Sequence, residues 1–121
     1  MTAAPVLDTT NDHFVRVSPE MRQEMVRQLG RMNLMAISGG RVLGSYHGIS
    51  LPVAHGYSVT VQLDGNDTYV VRRVRVTKVK GVPVVRLYGE RTNVYAEDLS
   101  EVAYFASCYV SYSADEWPGK A

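Results

Sequence analysis

Between Tyr57 and Tyr88 the chain reads YSVTVQLDGNDTYVVRRVRVTKVKGVPVVRLY: three β-rich runs parted by Asp64-Gly65-Asn66-Asp67 and by Lys80-Gly81. β-Branched and aromatic residues suit a pleated, half-buried surface, and short Gly/Asn/Asp clusters between such runs mark hairpin turns. The stretch therefore predicts an antiparallel meander. Tyr57, Val59, Val61 and Leu63 alternate with Ser58, Thr60 and Gln62, the pattern of a strand with one wet face. In the next run Val70, Val74 and Val76 share one parity and Val71, Arg73, Arg75 and Thr77 the other. Arg72 interrupts the apolar parity, which predicts a bulge or a twisted edge. In the third run Pro83 lacks a donor for the ladder and predicts an edge position. Gly89 to Asn93 reads as a polar connection.

A sheet with one apolar face needs a cover, and the flanking segments supply two helices. Ser18-Pro19-Glu20 is a helix start: a serine cap, then proline where a missing N–H costs nothing. Met21, Met25 and Leu29 recur at helical spacing, widened by Val26, and Gly30 supplies a left-handed exit. Tyr95 to Tyr109 predicts the second helix, with Leu99, Val102, Ala103 and Ala106 on its apolar side and Glu97, Asp98 and Glu101 near its amino end. Met32 to Ile37 reads as a buried strand or a last helical turn, its length favouring the strand, and Tyr46 to Val53 as a short strand limited by Pro52. The expected architecture is α+β: an amino-terminal helix, an antiparallel sheet of about four to five strands, and a carboxy-terminal helix packed on it. Residues 1–17 read as a flexible arm, 18–112 as a single domain and 113–121 as a flexible tail.

The 121 residues are enough for one domain, and 45% hydrophobic residues are enough for a core. A formal net charge of +1 gives no overall pull toward polyanions. The one cysteine, Cys108, excludes an internal disulfide and reads as a small buried residue of an apolar helix. No apolar run approaches the ~18 residues of a membrane span. The opening MTAAPVLDTTND has neither a basic nor an apolar leader region, so the expected compartment is the cytoplasm.

Three segments in order, VRQLGRMNLMAISGGRVL, LDGNDTYVV and VYAEDLSEVAYFASCYVSY, carry a resemblance. Together they resemble a family of small uncharacterised proteins of bacteriophages and other mobile elements, with a QLGG…AMTGA segment, a DTYDVEF…RG hairpin and a VYADxLxEVF…LYTSL finish. The matching positions are Gln28, Leu29, Gly30, Met35, Ala36, Ser38 and Gly39; Asp67, Thr68, Tyr69, Val71 and Gly81; and Val94, Tyr95, Ala96, Asp98, Leu99, Glu101 and Val102. The chain departs from the pattern at Arg31, at Arg72 and Arg73, and at Cys108. The resemblance implies an α+β fold and a phage-type accessory protein in the bacterial host's cytoplasm, and no catalytic activity.

Residue chemistry points the same way. His13, His47 and His55 have no ligand-spaced partner, so no metal or other cofactor is expected. Ser38, His47 and Asp64 supply the residue types of a triad, but no nucleophile-elbow pattern surrounds Ser38. Ser38 to Gly44 is glycine-rich yet lacks the lysine and hydroxyl of a nucleotide loop. The uneven feature is charge. From Arg72 to Arg91 the chain is formally +6, and from Thr92 onward −4. Arg72, Arg73, Arg75, Lys78 and Lys80, with Tyr69 and Tyr88 as stacking platforms, are the elements of a surface that tracks single-stranded DNA or RNA. The alternative is a protein-interaction module that engages a host or phage protein or associates with itself, with Val15–Val17 and Val82–Leu87 as edge strands open to another chain.

Overall fold

The computed structural model describes residues 4–108. Two helices come first, α1 (Pro19–Leu29) and α2 (Arg31–Ser38), followed by strands β1 (Leu43–Gly44), β2 (Gly48–Pro52), β3 (Tyr57–Leu63), β4 (Tyr69–Val79) and β5 (Val82–Val94), and then α3 (Leu99–Cys108). The five strands form one antiparallel sheet in chain order. The expected α+β class, with a carboxy-terminal helix on a meander, is the observed one.

Local chemistry explains the helix starts. The Ser18 hydroxyl accepts from the Met21 N–H at 3.1 Å, with Pro19 at the first helical position. Met32 to Ile37, expected as a strand, is instead the second helix. A six-residue apolar run does not separate the two periods by itself, and the pattern resolves only on burial. Leu34, Ile37 and Ser38 face inward while Met32 and Met35 are exposed, and Gly39 closes α2 in the left-handed conformation.

All three helices lie on one face of the sheet. Met25 and Leu29 of α1, Leu34 and Ile37 of α2, and Leu99, Val102, Ala103 and Ala106 of α3 pack over Ile49, Leu51, Val59, Val61 and Val71. Each large apolar side chain buried there contributes on the order of 1.5–3 kcal/mol. Gly48 permits the approach of β2 to β3: a Cβ at that position would sit 1.9 Å from the Val61 carbonyl oxygen.

Three further expectations change. Gly89 to Asn93 is strand, because β5 runs on to Val94 and Glu90 and Arg91 sit opposite Arg72 and Val71. The irregularity expected at Arg72 lies beside it, as register shifts between β4 and β5 at Tyr69/Val71 and Arg73/Val74. Cys108 is exposed at the end of α3.

The amino-terminal segment, expected as a flexible arm, is tied across the sheet from residue 4 onward. The Leu7 N–H donates to Val85 and the Leu87 N–H to Pro5, which adds the arm to the edge of β5. The segment then crosses the face opposite the helices. Beyond it, the Val15 N–H donates to Leu63 and the Val17 N–H to Tyr46. Beneath this strap Val70 and Val74 are buried. No helix among the described residues is long and apolar enough to cross a membrane. The expected tail 113–121 and the domain limit at 112 lie outside the described residues.

Candidate functional site

The predicted basic surface divides in two at Arg75. Arg72 faces the strap side and is 5% exposed. Its guanidinium donates to Asp12 at 2.7 and 3.0 Å and to Glu90 at 2.6 Å, and stacks 5.1 Å from the centre of the Phe14 ring. Burial alone would disfavour its charge, but the hydrogen bonds it donates to Asp12 and Glu90 outweigh that and hold its pKa above the ordinary value. Three of the five guanidinium N–H groups are held by two carboxylates that already neutralise the charge, and the side chain is buried, so Arg72 does not present itself to a phosphate.

Arg73 points to the opposite face and is 3% exposed. It donates to the carbonyls of Ala106 and Ser107 at 2.8 and 2.9 Å and lies 4.2 Å from the Tyr57 ring centre. These are carbonyls of the last described turn of α3, where the helix dipole favours a cation. Desolvation lowers the Arg73 pKa, opposed by Tyr57 and Cys108. Tyr69 is also buried; its hydroxyl donates to Gln28 at 2.7 Å, and burial raises its pKa against that hydrogen bond. Tyr88 is half-buried, edge-on to Tyr57 with ring centres 5.1 Å apart. Arg72, Arg73 and Tyr69 are therefore structural, and Tyr88 packs inward.

Arg75, Lys78 and Lys80 stand apart, exposed on a feature that strand lengths create. β3 begins at Tyr57, opposite Arg75, whereas β4 continues to Val79 and pairs there only with β5. Four residues of each strand thus overhang the sheet by ~13 Å at 3.3 Å per residue. Lys80 and Gly81, both at positive φ, close the ribbon as a type I′ turn requires. No second layer covers it: Val76, Val79 and Val82 are 57%, 46% and 61% exposed. Strand parity puts Val79 and Val82 on the helix side and Val76 and Lys78 on the strap side.

The edges expected to be open are not. Val15–Val17 bonds to Leu63 and Tyr46, and the edge of β5 is occupied by Pro5–Leu7 and interrupted by Pro83. On the ribbon, the open edge is that of β4 beyond Tyr57. The signal for it was present in the sequence: the strand before the Lys80-Gly81 turn is longer than the one that Gly56 introduces.

Pockets offer less. A cleft of about 730 Å³ between the start of α1 and β1 is lined by Arg16, Arg22, Ser45 and Tyr46, with no carboxylate or histidine. One of about 370 Å³ under the strap brings His13 near Asp12, Asp64 and Glu90, but Asp12 and Glu90 are the clasp on Arg72. The Ser38 hydroxyl bonds to backbone carbonyls of Leu34 and Arg41, and His47 Nδ1 meets the Val15 carbonyl oxygen, so neither is arranged as a triad. Among the described residues no group of His, Cys, Asp and Glu could hold a metal ion.

No family model matches the chain, and comparison with curated proteins and with solved structures finds no match. The resemblance to small phage proteins rests on its three sequence segments alone.

Proposed function

We propose that the chain is a small, non-catalytic protein-interaction module that docks through the β4–β5 ribbon. One observation carries the reading: a two-stranded ribbon stands clear of the domain with three valines uncovered. A two-stranded ribbon is marginal by itself, and exposed apolar side chains beside an open strand edge are the usual apparatus of strand-to-strand recognition. The kind of partner, a host or phage protein, follows from the resemblance to phage accessory proteins.

The test compares the full chain with a variant in which Lys78–Pro83 is replaced by Asn-Gly, so that the hydrogen-bonded pair Thr77 and Val84 flanks the new turn and the rest of the sheet is kept. Both are immobilised and challenged with bacterial lysate, with and without phage infection. A species retained by the full chain and lost with the ribbon supports the reading; identical profiles refute it.

Nucleic-acid binding is the competing reading, and Arg75, Lys78 and Lys80 are the cations that favour it. With about three phosphate contacts, affinity would fall with salt at a log–log slope near −3. A gel shift at low salt that disappears in Lys78→Ala/Lys80→Ala would favour it over protein docking.

A further inference from the structure

We infer that the open edge of β4 at Val76–Lys78 takes up, by strand addition, an extended segment of another protein in which apolar and acidic residues alternate. This rests on the docking role proposed above and specifies its occupant.

In an antiparallel pair, successive residues turn their N–H and C=O alternately toward and away from the partner strand. The pair flanking a two-residue turn, here Val79 and Val82, is a hydrogen-bonded one. Counting back, Lys78 and Val76 on β4, and Pro83, Val85 and Leu87 on β5, point outward. The structure bears this out on β5, where the Val85 carbonyl and the Leu87 N–H are the groups the arm uses. That edge is filled over residues 85–87, and Pro83 has no donor to offer next to it. On β4 the corresponding groups of Val76 and Lys78 face the space left where β3 begins at Tyr57, and the chain before β3 turns away through Val53, whose N–H donates to Tyr57. One edge of the ribbon is closed and the other is open, with two donors and two acceptors.

The side chains say what can lie there. Arg75, Lys78 and Lys80 flank the open edge, and no acidic residue occurs between Arg72 and Glu90. A second copy paired edge to edge would set three cations against three, and like charges across a strand pair are destabilising. Tyr57 already fills the position opposite Arg75, so the complementary antiparallel strand reads, from the position opposite Lys80 to that opposite Val76: acidic, apolar, acidic, polar, apolar. It would cover Val79 and Val76 while meeting Lys78 and Lys80.

The experiment uses the full chain and a labelled peptide carrying Asp-Val-Glu-Thr-Val, against a control with lysine at both acidic positions. Anisotropy and amide chemical shifts are followed at low salt. The acidic peptide should bind at least about tenfold more tightly than the control, and shift the amides of Val76 and Lys78. Val76→Pro removes an outward N–H without touching the β4–β5 ladder, so it should abolish binding at unchanged circular dichroism. Lys78→Glu/Lys80→Glu should reverse the preference toward the lysine peptide. Equal binding of both peptides, no binding, or full binding by Val76→Pro overturns strand addition. So does a dimer in sedimentation that Val76→Pro dissolves, since a second copy would then be the occupant. If the peptide fails while ribbon-dependent capture from lysate persists, the docking role stands and only this occupant falls. If removal of the ribbon also changes nothing, the docking role itself falls.

Discussion

Replacing Arg72 by methionine tests whether this arginine belongs to the fold or to a ligand. The side chain is 6% exposed, Asp12 is 17% and Glu90 33% exposed, and three hydrogen bonds of 2.6–3.0 Å join them. Charge-assisted bonds contribute about 1.5–3 kcal/mol each when counted singly, but they do not add. Methionine fills most of the volume, and both carboxylates lie near enough to water to regain part of their hydration. What remains is two like charges held close together without their cation, for which removal of one partner of a buried pair suggests a loss of about 3 kcal/mol. With an m-value of about 1.5 kcal/mol/M, the urea midpoint followed by far-UV circular dichroism at pH 7 should fall by roughly 2 M. Adding Asp12→Asn and Glu90→Gln removes the stranded charges and should recover at least half of the loss. A single-variant loss under about 1 kcal/mol, or a triple variant no better than the single, would refute the clasp and return Arg72 to the candidates for ligand binding.

Other perturbations follow from the same geometry. Gly48→Ala places a methyl group against the Val61 carbonyl oxygen and should cost at least about 3 kcal/mol or prevent folding, as read by thermal melting. Gly81→Ala puts a side chain at a φ of 81° and should cost about 1–2 kcal/mol, with Lys80→Asn having the opposite sign because asparagine tolerates that region. Burial raises the Tyr69 pKa above its ordinary 10.0. The folded state therefore holds that proton more tightly than the unfolded one, and the stabilisation is complete below about pH 10 and lost as pH rises through the raised value. Melting temperatures between pH 9 and 11 should fall more steeply for the natural chain than for Tyr69→Phe; parallel curves would contradict the burial of this phenol.

Much of the architecture was legible because it is written in short-range chemistry. Ser18 and Pro19 start a helix wherever they stand before an amphipathic run, Lys80-Gly81 between valine-rich runs makes a hairpin, and Tyr57–Leu63 alternates cleanly. The misread elements share one cause, which is that their conformation depends on what covers them. Met32–Ile37 becomes helix because Leu34 and Ile37 meet the core, and Gly89–Asn93 becomes strand because Glu90 reaches Arg72. The basic cluster divides for the same reason: seven cations between Arg72 and Arg91 look alike in a sequence, and their fate turns on partners far away.

The amino-acid order by itself determined the class of fold, the meander and the position of its turns, since these need only neighbours a few residues apart. Tertiary structure alone decided that Arg72 is closed off by Asp12, sixty positions distant, and that Arg73 is closed off by the end of α3. It also decided that the ribbon overhangs, because an overhang is the mismatch between one strand pair and the next. Electrostatic availability belongs to the folded surface, where desolvation and pairing choose which charges meet water.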